Sequence, residues 1–298
     1  MIKKLLILKI LVFMLCISLF QGCITTTEKE PFVFDKNSIY VSVDGTKNFT
    51  SIQEAIDYAP ENFNIIILSG QYHENIHINK SITITGENPK TTIIIGSSSY
   101  NTVLIDGSNV TLSNCSIINS GTNGNDAGIK ILTDNVQIYN NIIYNNNNGI
   151  YTSRAENNNI RNNIIKNNSV YGIYAYSGSN HMNITNNVFF HNDISLRIKG
   201  SQYCLVSKNQ FNDSDKGMYF CCGARNNMVV QNNFINHSTW NGDDQSGTND
   251  WNDTSQGNYW DDYIGIDVDS DGIGDEPYNI SKYRESADYF PLMNPIDL

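Results

Sequence analysis

The sequence predicts an all-β protein: a right-handed parallel β-helix with a short N-terminal capping helix. Three observations carry that prediction. Short motifs recur about every 22 residues, Asn makes up about 15% of the chain, and the apolar runs are short and β-rich with no sustained helical period. Hydrophobic content of 40% in 298 residues supplies a sizeable core, so disorder is not the default. The net charge of −11 argues against nucleic acid, which requires a basic surface to displace counterions.

Residues 1–22 read as a signal peptide rather than part of the fold. Lys3, Lys4 and Lys9 form a positive n-region, and Ile10–Phe20 is an apolar stretch too short for an ordinary membrane span. Leu-Phe-Gln-Gly-Cys resembles a lipoprotein cleavage box, which makes Cys23 the expected lipid-attachment residue and 23–37 a linker behind the anchor. The expected location is extracellular or periplasmic, at the cell surface, for a monomer without a nucleic-acid partner. An uncleaved transmembrane anchor over Leu5–Phe20 is the alternative. Four further cysteines, Cys115, Cys204, Cys221 and Cys222, are expected to be small buried residues or to form one disulfide.

The first element of the fold is a helix. Ser51 and Glu54 read as a capping box, Ile52, Ala55, Ile56 and Ala59 form one apolar face, and Pro60 ends it. It covers the open end of a solenoid, with Ile65–Leu68 as the first buried strand. The coils occupy residues 38–240. Their anchors at 115, 141, 163, 187, 209 and 232 step by 26, 22, 24, 22 and 23, as in Ile138-Tyr-Asn-Asn-Ile-Ile143 and Ile160-Arg-Asn-Asn-Ile-Ile165. Gly128-Ile, Gly149-Ile-Tyr, Gly172-Ile-Tyr and Gly217-Met-Tyr recur in the same register. Strands of successive coils stack about 4.8 Å apart, so like sits above like. Asn then serves twice, at turns that need left-handed backbone and in stacked amide ladders. Asn141, Asn163, Asn187, Asn209 and Asn232 are the predicted ladder, with Cys115 as an atypical first member.

Residues 241–298 form an acidic cap. They hold 14 acids against Lys282 and Arg284, a net −12, whereas residues 23–240 are near neutral with 16 acids and 14 bases. Asp267-x-Asp269-x-Asp271-Gly-x-x-Asp275 places oxygen ligands at positions 1, 3, 5 and 9 with Gly at 6, a pattern suited to calcium. Position 12 is Tyr278 rather than Glu, so a final ligand must come from Asp261, Asp262 or Glu276. Calcium ordering this tail against its own repulsion is the expectation.

Ser51-Ile-Gln-Glu-Ala-Ile-Asp57, Glu74-Asn-Ile-His-Ile-Asn-Lys80, the coils, and Gly257-Asn-Tyr-Trp-Asp-Asp-Tyr263 together resemble the NosD-like and carbohydrate-binding/sugar-hydrolysis (CASH) β-helix repeats, with endings similar to archaeal surface lipoproteins. The resemblance covers roughly residues 38–293 and implies a pectate-lyase-like solenoid. NosD-type proteins are associated with copper-site assembly in nitrous oxide reductase, yet no His/Met/Cys cluster here points to copper. Arg197-Ile-Lys199 resembles a fragment of polygalacturonase signatures whose other elements are missing. Tyr144, Tyr151, Tyr171, Tyr174 and Tyr176 are candidates for stacking on sugar rings, against a plain packing role. The sequence therefore favours a surface-anchored, monomeric, non-catalytic binder of polysaccharide or glycoconjugate. A polysaccharide lyase or hydrolase and a periplasmic copper-enzyme maturation factor are the alternatives.

Overall fold

The computed structural model describes residues 37–281 and 285–298. The predicted leader and Cys23 lie outside these residues, as does the linker except Asn37. The chain winds as a right-handed parallel β-helix, each full coil adding one strand to each of three parallel sheets of nine, eight and nine strands. Register repeats without slippage. In the first sheet Ile84, Leu112, Ile138, Ile160, Ile184, Val206 and Val229 lie one above another, all fully buried. In the third sheet, Ile117, Ile143, Ile165, Phe189, Phe211, Phe234 and Trp260 form a second inner column. Its aromatic end is a continuous stack, with ring centroids 4.7, 4.8 and 4.3 Å apart, and Tyr278 closes it 4.3 Å beyond Trp260. Burying such columns is what holds a helix-poor chain together, at roughly 25 cal/mol per Å² of apolar surface.

The paired Asn of each coil divide the two tasks the sequence assigns to Asn. The first of each pair takes the left-handed corner: Asn140, Asn162 and Asn186 have φ of 56°, 56° and 54°, and Lys208 and Gln231 occupy the same position at 55° and 57°. The second points inward and stacks. Each ladder Oδ1 accepts the backbone N–H of the preceding anchor, beginning with Cys115 N to Asn141 at 3.0 Å and continuing through Asn163, Asn187, Asn209 and Asn232. The Nδ2 groups donate to backbone carbonyls and to the next Oδ1. A second ladder, unforeseen from the sequence, runs Asn146, Asn168, Asn192 and ends on Ser214.

Both ends are closed by polar contacts the sequence left open. Helix α1, Ile52–Tyr58, buries Ile52, Ala55 and Ile56 and is capped by Ser51, whose Oγ accepts Glu54 N. A second cap, which the local motif does not contain, comes from Glu74. Glu74 takes the N–H groups of Ile52 and Gln53 and the Ser51 hydroxyl at 2.9, 3.0 and 2.8 Å. At the other end the coils do not stop at residue 240. Trp240–Asp244 pairs with Lys216–Cys221, and Tyr259–Trp260 pairs with Asn233–Phe234. The main ladder continues to Asn258 and terminates on Asp288, a fully buried carboxylate that accepts Asn258 N, Trp260 Nε1 and Phe290 N at 2.7, 2.9 and 3.0 Å. Asp244 ends a shorter ladder, Asn227 to Asn249, in the same way. The repeating rung donates toward the C-terminal end, so the last rung needs a pure acceptor, and a carboxylate is one.

Candidate functional site

The second sheet presents the face with the most varied chemistry. Its strands are Ile76–Ile78, Val103–Ile105, Ala127–Ile131, Asn148–Ser153, Tyr171–Tyr176, Ile194–Lys199, Lys216–Cys221 and Trp240–Asp244. Period-two alternation sends Ile150, Ile173, Leu196 and Met218 into the core, with Lys130, Tyr151, Tyr174, Arg197, Tyr219 and Asp243 in register on the outside. Glycine precedes the inner residues Ile150, Ile173 and Met218, and Ser195 precedes Leu196; at the glycines the next coil comes too close for a side chain. A Cβ on Gly172 would fall 2.4 Å from Ser195 O, and one on Gly217 2.0 Å from Asn241 O.

Four of the five tyrosines singled out by the sequence meet here. Tyr171 lies 4.6 Å from Tyr174, which meets Tyr151 and Tyr176 edge-on at 5.5 and 5.7 Å. Tyr151 and Tyr174 are only 4% and 7% exposed, so the half-buried rings of Tyr171, Tyr176 and Tyr219 form the accessible rim. Tyr144 is elsewhere, on the strand Ile142–Tyr144 of the third sheet, under Lys166, and the five do not make one strip. What the sequence reading did not bring to this face is its cations. Lys130 Nζ sits 5.1 Å from the Tyr151 ring, Lys199 Nζ 5.0 Å from Tyr176, and the Arg197 guanidinium 5.1, 5.3 and 5.5 Å from Tyr174, Tyr219 and Tyr171. Arg197 Nη1 donates to the Tyr171 hydroxyl and Nη2 reaches Cys221 Sγ at 3.4 Å. Burial pushes the phenols of Tyr151, Tyr174 and Tyr219 up, that of Tyr219 to about 12, so these rings stay neutral. The register order interleaves two cations, Lys130 and Arg197, with three rings, Tyr151, Tyr174 and Tyr219, before Asp243, a signal that the sequence shows only once the coils are aligned.

The acidic loop forms a second cluster. Ligand oxygens of Asp267, Asp269 and Asp271 lie within 4.8 Å of one another. Asp275 is outside that triad, and its Oδ2 accepts Val268 N at 2.7 Å. Asp261 and Asp262 are held by Asn241 Nδ2 at 3.0 and 2.7 Å rather than turned to the loop. His73 and His77 fall on two strands, Gly70–His73 and Ile76–Ile78. His77 Nε2 lies 2.8 Å from Asp106 Oδ1 at an exposed position. The four cysteines beyond residue 36 are free thiols; Cys115, Cys204 and Cys221 are buried and Cys222 exposed.

The family model described as periplasmic copper-binding protein (NosD) matches residues 35–265. The chain belongs to the NosD family. It is 34% identical over 91 residues to the probable ABC transporter binding protein NosD of Pseudomonas aeruginosa, covering 30% of the chain and 19% of that relative. For the same protein of Stutzerimonas stutzeri the figures are 32% over 84 residues, 28% and 19%. The aligned stretch thus spans about a fifth of these NosD relatives. The solved pectin methylesterase from carrot superposes with a TM-score of 0.53 at 16% identity, covering 76% of this chain and 88% of the esterase, a likeness of fold.

The family description names copper, a metal that soft sulfur and imidazole ligands suit. Among the described residues, three potential ligands from His, Cys, Asp and Glu converge only at the all-carboxylate triad, which suits a hard cation. Burial pushes the Cys115 and Cys204 thiols up to about 12 and raises that of Cys221 as well, against the opposing pull of the Arg197 guanidinium, so none of the three is poised as a thiolate ligand. Among the described residues no helix is long and apolar enough to cross a membrane.

Proposed function

We propose that this NosD-family β-helix is an exported, envelope-associated protein that binds a polysaccharide or glycoconjugate without turning it over. The single observation behind this reading is the row of rings interleaved with cations on the second sheet, which runs along the solenoid axis as an extended polymer would. Tyrosine offers an apolar face and a polar tip, the combination that suits sugar rings. The row holds one acid, Asp243 at its end, whereas glycoside hydrolysis uses two facing carboxyls. Affinity electrophoresis of the full chain in soluble polysaccharides tests the reading. A polymer that retards the protein is expected to do so about tenfold less well for Tyr171→Ala or Tyr176→Ala, equivalent to about 1.4 kcal/mol. Release of reducing ends or unsaturated products by the purified protein would reject the non-catalytic part.

The same reading places the protein in the periplasm or at the outer cell surface, held by a lipid on Cys23. Mass spectrometry of the mature protein is expected to find a lipid-modified Cys23 as its first residue. We also propose that Asp267, Asp269 and Asp271 bind calcium, with Asp275 joining after releasing the Val268 N–H. Titrating calcium into metal-stripped protein is expected to raise the melting temperature by several degrees, and Asp269→Asn to abolish that rise. An unchanged melting temperature would count against the ion.

A further inference from the structure

Resting on the polymer-binding reading above, we infer that the ligand of this face is anionic: an acidic polysaccharide whose carboxylate or sulfate groups meet Arg197, with Lys199 and Lys130 flanking. The chain carries a net charge of −11, yet the central part of this face is positive. Among the described residues, ion pairs form between His77 and Asp106 and from Lys216 to Asp193 and Asp215; Lys130, Arg197 and Lys199 take part in none. Asp243, two rungs beyond Arg197, is the one acid of the outer row and pairs with none of the three cations, so their mutual repulsion is left for something outside the row to offset.

Arg197 is the centre of the arrangement. It is ringed by Tyr171, Tyr174 and Tyr219, its Nη1 is fixed by the Tyr171 hydroxyl, and its Nη2 has only a thiol sulfur. The Nε–H is enclosed with no hydrogen-bond partner. An orphan donor on a charged group is costly, and the Nε–Nη2 edge is the one that grips a carboxylate with two parallel bonds. Binding through that edge requires the side chain to turn outward from the three rings. Lys199 lies two residues along the strand, about 7 Å away, and Lys130 three strands below, about 14 Å. Charges at those separations match several groups on one chain better than a single small ion, and the tyrosine rim between them receives the sugar rings.

Titration calorimetry of the full chain with matched polymers tests this. The pairs are a polyuronate against the same polymer methyl-esterified, and dextran sulfate against dextran; the two arms separate carboxylate from sulfate. The charged member of at least one pair is expected to bind tenfold or more tightly, with affinity falling as salt rises. Arg197→Gln should remove about tenfold of that preference, Arg197→Lys less, and Lys199→Gln, at a half-exposed position, a few-fold with an unchanged melting temperature. Equal affinity for charged and neutral members, still sensitive to Tyr176→Ala, would overturn the anionic assignment and leave the polymer-binding reading standing. A charge preference indifferent to both Arg197 and Lys199 would also overturn it. Absence of binding to every polymer would overturn both.

Discussion

Asn187→Ala is expected to lower stability by about 4 kcal/mol, read as a shift in the urea midpoint followed by circular dichroism. The Asn187 Oδ1 accepts Asn163 N and Asn163 Nδ2, each at 3.0 Å, and its Nδ2 donates to Ile160 O, Thr185 O and Asn209 Oδ1 at 2.8 to 3.1 Å. Truncation leaves the buried Asn163 N–H without its acceptor and opens a void between coils. No water replaces those bonds, because the side chain is fully buried. The neighbouring Asn186→Gly is the contrast. Asn186 supplies the left-handed corner at φ 54°, which Gly adopts freely, so its loss should cost less than about 1 kcal/mol. Equal costs for the two variants would refute the division of labour within each Asn pair.

The second large effect is at the ladder's end. Asp288→Asn replaces one acceptor oxygen by an amide N–H₂: Oδ2 accepts Asn258 N and Trp260 Nε1 and Oδ1 accepts Phe290 N, so the N–H₂ faces at least one of these donors, and about 2 kcal/mol of lost stability is expected at neutral pH. The carboxyl also shapes the pH response. Burial outweighs the surrounding donors and pushes it up to about 6 from an ordinary 3.8. The folded state therefore holds a proton between about pH 4 and 6 that the unfolded chain has released. That contribution is fully present below about 4 and lost as pH rises through 6. Asp44, Asp215 and Asp253 act in the opposite sense, since hydrogen bonds hold them below the usual range, and their contribution fades as pH falls below about 4. His237, its pKa lowered by burial, opposes the Asp288 decline, so the comparison is of variant with parent: Asp288→Asn should remove the loss of stability that the carboxyl contributes from about pH 4 to 6 while leaving the acid limb in place.

The composition that first marks this chain, excess Asn and excess acid, acquires a structural meaning at each residue. Asn141 through Asn232 are legible as a ladder because each coil repeats one environment, so equivalent residues recur at a fixed interval. Asn258 is not, because the 26-residue step that reaches it crosses the non-repeating tail. The acidity of the last 58 residues is partly internal: Asp244 and Asp288 are buried chain-end acceptors, while Asp267, Asp269 and Asp271 remain grouped as the calcium reading requires. Glu74 adds a second cap to the helix because the first coil returns beneath the helix N-terminus, 20 residues downstream of the local motif, a contact no short pattern encodes.

The sequence by itself determined the solenoid, its capping helix and the main Asn ladder, since all three rest on local periodicity and turn chemistry. Only the tertiary structure decided which residues share the outer row of the second sheet. A one-residue change of register would turn Arg197 or Tyr174 to the core, and register follows from how coils of 22 to 26 residues close on one another. The same closure separates Tyr144 from the other four tyrosines and sets Lys130, Arg197 and Lys199 among them. Side chains far apart in the sequence become a face only when the coils have fixed their height and direction.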